Sequence, residues 1–130
     1  MCKQRYTISK GTKFPKLRQG ITVTLHGEQR IKSRVPGMNT KKRRDTFIKN
    51  AAKGALMQSD IPQIPEFADL VSYLKRISYK IKKKNSYCQL YYFQDYIFIV
   101  STASVLITVL NVDDIYKGRY QEVMKYLDAA

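Results

Sequence analysis

The chain holds a single histidine, His26, in the stretch TLHGEQRIKSRV, with Arg30 and Arg34 four and eight positions beyond it. An α-helix advances roughly 100° per residue, so positions 26, 30 and 34 fall on one stripe that drifts by only about 40° per step. Imidazole, with an ordinary pKa of about 6.5, exchanges a proton near neutral pH, while guanidinium stays charged and can grip two oxygens of a phosphate. Together they suit RNA cleavage. The 2′-hydroxyl attacks the adjacent phosphorus, one group removes its proton, another protonates the leaving oxygen, and cations stabilise the developing charge. No metal is needed for that route. The plainer reading is a surface or capping histidine beside arginines that face solvent or hold phosphate without reacting.

A strand hydroxyl is the next candidate. In SVLITVLNV, strict alternation puts Val105, Ile107, Val109 and Asn111 on one face and Leu106, Thr108, Leu110 and Val112 on the other. Thr108 interrupts an apolar set. It either serves β-propensity or points its hydroxyl at a ligand beside the helix stripe, and Ser101, Ser104 and Asn111 are weaker candidates of the same kind.

Two dense cationic runs come next: Lys41, Lys42, Arg43 and Arg44 in KKRRD, and Lys82, Lys83 and Lys84 in KIKKKN. Such runs usually form a solvated face, but here the charge is concentrated. Residues 1 to 59 carry net +13, residues 60 to 86 net +3 and residues 87 to 130 net −2, giving +14 overall. That imbalance favours a polyanionic partner and phosphate contact, which gives salt-sensitive affinity without sequence choice. Tyr87, Tyr91, Tyr92 and Tyr96 could stack unpaired bases on an open sheet face, with about half of them belonging to the core instead.

The rest of the composition narrows the class. At 130 residues the chain is the size of a single domain, and 44% apolar residues with ten tyrosines and five phenylalanines mark a folded one. Cys2 and Cys88 do not make a disulfide framework and suit a reducing compartment. Two cysteines and one histidine build no zinc site unless carboxylates complete it, so no metal or cofactor is expected. The N-terminus has no apolar leader segment, and the longest apolar stretch, YIFIVSTASVLITVL, is broken by Ser101, Thr102 and Ser104. The expectation is a cytoplasmic protein that does not enter a membrane.

Element by element, residues 1–20 read as a basic arm with room for a short strand near Tyr6 to Ser9, and residues 21–130 as one domain. A helix runs from Thr22 or Thr24 to about Val35, stopped by Pro36-Gly37. A second, capped by Asn39 or Thr40, buries Phe47, Ile48, Ala51, Ala52, Ala55 and Leu56 and ends before Ile61-Pro62. A third starts near Glu66 and buries Phe67, Leu70, Val71, Leu74, Ile77 and Ile81. After Asn85 the period becomes two, giving three strands in an antiparallel meander, and a last helix starts at Asp113 or Asp114. The expected fold is α+β: N-terminal helices packed on a C-terminal antiparallel β-meander, with a final C-terminal helix. The helices would cover one sheet face and leave the other free to bind.

The segments HGEQRIKSRV, KKRRDTFIKNAAKGAL, LVSYLKRI and YYFQDYIFIVSTASVLITVLNV, in that order, resemble small phage and bacterial proteins of the barnase, EndoU, colicin and RelE ribonuclease superfamily. The resemblance covers roughly residues 22 to 112 and rests on the histidine–arginine helix pattern and the closing strands. It implies a metal-independent ribonuclease with its site where helix meets sheet. His26 would match the helix histidine, Arg30 and Arg34 its arginines, and Thr108 the hydroxyl residue of the last strand. Several branches also use tyrosine or lysine, which leaves Tyr91, Tyr92 and Lys32 open.

The leading expectation is therefore an endoribonuclease of toxin or phage-effector kind, with RNA as substrate and an acidic antitoxin or immunity protein as its natural inhibitor. Two alternatives stand beside it: a non-catalytic nucleic-acid-binding module, and an interaction or inhibitor protein that docks its positive face on an acidic partner.

Overall fold

The computed structural model describes residues 4–8, 21–103 and 105–129, with backbone alone for 4–8 and for Ile21. It is an α+β fold. The chain runs β1 (Gln4–Ile8), β2 (Ile21–Thr24), α1 (Leu25–Arg34), α2 (Lys41–Gly54), α3 (Ala68–Lys84), β3 (Cys88–Phe93), β4 (Tyr96–Ser101), β5 (Val105–Asn111) and α4 (Arg119–Ala129). The sheet order is β1-β2-β5-β4-β3, antiparallel except where β2 lies parallel to β5.

The helix starts follow from their caps. The Thr24 hydroxyl accepts from the Gly27 amide at 2.9 Å, and the Thr40 hydroxyl from the Arg43 amide at 3.2 Å, each satisfying a donor that the first turn leaves unpaired. Of the two expected starts for the first helix, Thr24 holds. Thr22 belongs instead to β2, where Ile21, Thr22, Val23 and Thr24 suit an extended backbone and pair with β1 and β5. The strand expected near Tyr6 to Ser9 is β1. The rest of the N-terminal arm lies outside the described residues.

The third helix begins at Ala68, after a 3-10 turn at Pro65–Phe67. The last begins at Arg119 rather than Asp113 or Asp114, because those aspartates start a 3-10 turn and Gly118, at φ 81°, turns the chain before α4. Arg119 then clamps the helix ends together. It meets Asp69 at 2.8 Å and donates to the Glu66 carbonyl at 2.8 Å, tying α4 to α3.

The meander forms as expected, with a two-residue turn at Gln94-Asp95 in which Gln94 takes φ 54°. The expected open sheet face does not form. Along β4, Ile97, Phe98, Ile99 and Val100 are 0, 0, 3 and 0% exposed. Successive strand residues point to opposite faces, so both faces are covered there.

On one face Phe47 of α2 packs against Phe93, Tyr96 and Phe98. The other face carries Leu90, Tyr92, Ile97 and Ile99; α3 lies along β3, and Tyr120 of α4 meets the Tyr92 ring edge-on at 5.5 Å. Each large apolar side chain buried this way contributes roughly 1.5–3 kcal/mol. Beyond α2, Leu56 pairs with Tyr92 through two backbone bonds of 2.8 Å, covering the outer edge of β3.

Candidate active site

α1 is held against β5 just past the point where β2 stops pairing with it. Three contacts fix it there. The Thr24 hydroxyl donates to the Leu106 carbonyl at 3.0 Å. Gly27 lies so close to that carbonyl that a Cβ would sit 2.8 Å from its oxygen. At the other end, Arg34 Nη1 donates to the Val109 carbonyl at 2.6 Å.

The two carbonyls are three residues apart, which a regular strand would aim at opposite edges. They share one edge because β5 carries an irregularity: Ile99 pairs with Thr108 and Val100 with Leu106, leaving Ile107 unpaired. This bulge also corrects the expected alternation. Leu106 and Val109 are both fully buried and lie across from Val100 and Phe98, on the α2 face. Thr108, half-buried, pairs with Ile99, so its side chain belongs to the other face together with Leu110.

Of the four residues expected to act together, His26 and Arg30 meet directly. Both are half-buried, and Arg30 Nε donates to His26 Nε2 at 3.2 Å. A guanidinium only donates, so Nε2 is the acceptor in this pairing. Arg34 lies on the same stripe but is tied to the β5 backbone and borders a cleft of about 230 Å³ with Asp95, Tyr96, Asn111, Asp114 and Lys117. Two carboxylates in that cleft make it a poor seat for phosphate. Thr108 is one residue along β5 from Arg34's carbonyl partner, with its side chain on the face opposite Val109.

The basic runs divide by role. Arg44 is mostly buried between α1 and α2, its Nε 3.5 Å from the buried Glu28 carboxylate and its Nη1 donating to the Met38 carbonyl at 3.1 Å. Lys41 pairs with Asp45 at 2.9 Å, and Arg43 donates to the Gly37 carbonyl at 3.3 Å while remaining exposed. Lys42 is exposed on the outer side of α2. Lys82, Lys83 and Lys84 are exposed on the last turn of α3.

The four tyrosines considered for stacking split evenly. Tyr91 and Tyr92 are buried, and burial pushes the Tyr91 phenol up to about 12 and that of Tyr92 higher still. Neither offers a ring to a base. Tyr87 is 70% exposed and Tyr96 half-buried. A fifth tyrosine, Tyr79, not among those expected to stack bases, is 69% exposed on α3 among Lys75, Arg76, Lys80 and Lys83. The signal was available: the helical period that buries Leu70 and Leu74 turns position 79 outward.

Among the described residues no cluster of His, Cys, Asp and Glu side chains is arranged to hold a metal ion, and no helix is long and apolar enough to cross a membrane. Comparisons with protein-family models, with curated proteins and with solved structures found no match to this chain.

Proposed function

We propose that this chain is an endoribonuclease that binds RNA through its basic helices and cleaves it by 2′-hydroxyl attack, with His26 as the base and Arg30 as the phosphate-binding cation. The observation that carries this reading is the 3.2 Å contact between Arg30 Nε and His26 Nε2. It places a group able to take a proton beside a permanent cation, in the region of the chain that carries nearly all of its positive charge.

In the resting arrangement Arg30 occupies the lone pair that the base needs. A phosphate drawn to the guanidinium exchanges that hydrogen bond for one to a phosphate oxygen, and Nε2 is released toward the 2′-hydroxyl. The hydroxyl proton passes to Nε2 and the 2′-oxygen bonds to phosphorus. The bond from phosphorus to the 5′-oxygen then breaks, that oxygen takes a proton from water, and a 2′,3′-cyclic phosphate remains. Arg34 anchors α1 against β5 in this reading. Setting is inferred from chemistry: a buried free thiol at Cys88 and an RNA substrate fit the cytoplasm, and an inhibitor of the enzyme would be acidic to match its field.

Incubation with transfer RNA in EDTA is the test. Wild type is expected to leave cyclic phosphate ends, and His26→Ala to lose at least about 100-fold in rate, the usual worth of acid–base catalysis. Uncut RNA with wild type, or equal cutting by the variant, removes the catalytic claim. A binding-only module is the second reading. It is favoured by Arg34 being tied to backbone and Thr108 lying on the opposite face from Val109, and it predicts that His26→Ala binds RNA unchanged while neither protein cuts it.

A further inference from the structure

We infer that the outer face of α3 is a docking surface for a single-stranded stretch of nucleic acid, with backbone phosphates on Lys75, Arg76, Lys80 and Lys83 and one base stacked on the Tyr79 ring.

Positions 75, 76, 79, 80 and 83 lie along one side of the helix within about 12 Å of axial rise. Leu70 and Leu74 are buried on the side turned to the core. All five residues of the outer face are exposed, and they border a shallow depression of about 450 Å³ with Tyr79 among the cations. From Lys75 to Ser86 the chain has six cations and no carboxylate. Among the described residues, no ion pair engages any of these cations.

Single exposed tyrosines are ordinary on protein surfaces. This one differs in its setting. A large ring held in solvent between unpaired cations, three and four residues before it and one and four after, offers a π-face bounded by charges that a phosphate chain would neutralise. Bases in a duplex hide their faces, so the ring selects an unpaired segment. An acidic protein would use the cations and leave the ring idle, which separates the two occupants experimentally. The inference does not depend on cleavage.

The test uses His26→Ala as the parent protein, so that RNA stays intact, and labelled 12-nucleotide probes followed by anisotropy over a salt series. Single-stranded DNA of the same sequence serves as a second probe that lacks the 2′-hydroxyl. Tyr79→Ala is expected to weaken binding of both single strands roughly 5-fold or more without changing the salt slope, and Tyr79→Phe to bind like the parent. Replacing Lys75, Arg76, Lys80 and Lys83 by Gln should reduce the slope of log K against log salt by about 3, from roughly 0.7 per phosphate contact. A duplex probe should not respond to Tyr79→Ala. The inference is overturned if Tyr79→Ala, with unchanged circular dichroism, binds single strands as tightly as the parent. It is equally overturned if polyglutamate shows the same dependence on Tyr79.

Discussion

His26 and Gly27 are neighbours with separate duties, and each can be tested alone. The imidazole meets Arg30 and is half-buried, so His26→Ala should leave stability nearly unchanged while abolishing the proposed RNA cleavage. Gly27 is the reverse. A methyl group at that position would lie 2.8 Å from the Leu106 carbonyl oxygen, which is backbone inside the sheet and cannot rotate away. Gly27→Ala is therefore expected to lift α1 off β5 and cost roughly 1–3 kcal/mol, the range of overpacking at a tight contact. Chemical denaturation checks it, and an unchanged midpoint would mean that the close approach is not needed. Thr24 shares the structural duty of Gly27, capping α1 and bonding Leu106 through one buried hydroxyl. Its local signature, threonine before a helical period, was readable in the sequence. The contact with Leu106, 82 residues away, was not, because nothing in the residues around 24 encodes which strand lies beside them.

At the level of elements, the helix bodies and the meander were legible because their periods are long and their breaks are marked by Pro36-Gly37, Pro65 and Asn85. β2 was not, since four residues ahead of a helix show no period and its partner β5 is distant in sequence. The bulge at Ile107 was also hidden. Val105, Leu106, Ile107 and Thr108 contain neither glycine nor proline to mark it, yet it decides which face Thr108 occupies. Two-sided burial did leave a trace. YYF in β3 and IFIV in β4 are continuous rather than alternating, as strands covered on both faces usually are. The bulge also brings the Val109 carbonyl to the edge where Arg34 donates to it, so α1 should depend on that bond. Arg34→Met keeps the apolar stem and removes the donor, with an expected loss of about 1.5–3 kcal/mol, the worth of a hydrogen bond from a charged group. Unchanged stability accompanied by lost RNA cleavage would return Arg34 to the reacting centre.

Across the whole molecule, positive charge and tyrosine set opposing responses to alkali. Net charge of +14 repels itself, so its neutralisation in alkali should stabilise the fold. Tyrosines act the other way. Burial is the leading cause that raises the phenols of Tyr73, Tyr91, Tyr92, Tyr96 and Tyr120, Tyr91 to about 12. A group whose folded pKa lies above its unfolded value of 10.0 stabilises fully below that pH and loses its contribution as pH rises through the folded value. Several such groups share one core, and screened surface lysines contribute little each, so stability is expected to fall between about pH 10 and 12. Tyr92 offers the sharpest control. Its hydroxyl is buried without a hydrogen-bond partner among the described residues, so Tyr92→Phe should raise stability at neutral pH by about 1 kcal/mol and blunt the alkaline loss. Thermal midpoints of both proteins across that range, read alongside tyrosinate absorbance, decide the matter. A wild-type midpoint that climbs through the window would show that charge repulsion, and not the buried phenols, governs the alkaline limit of this fold.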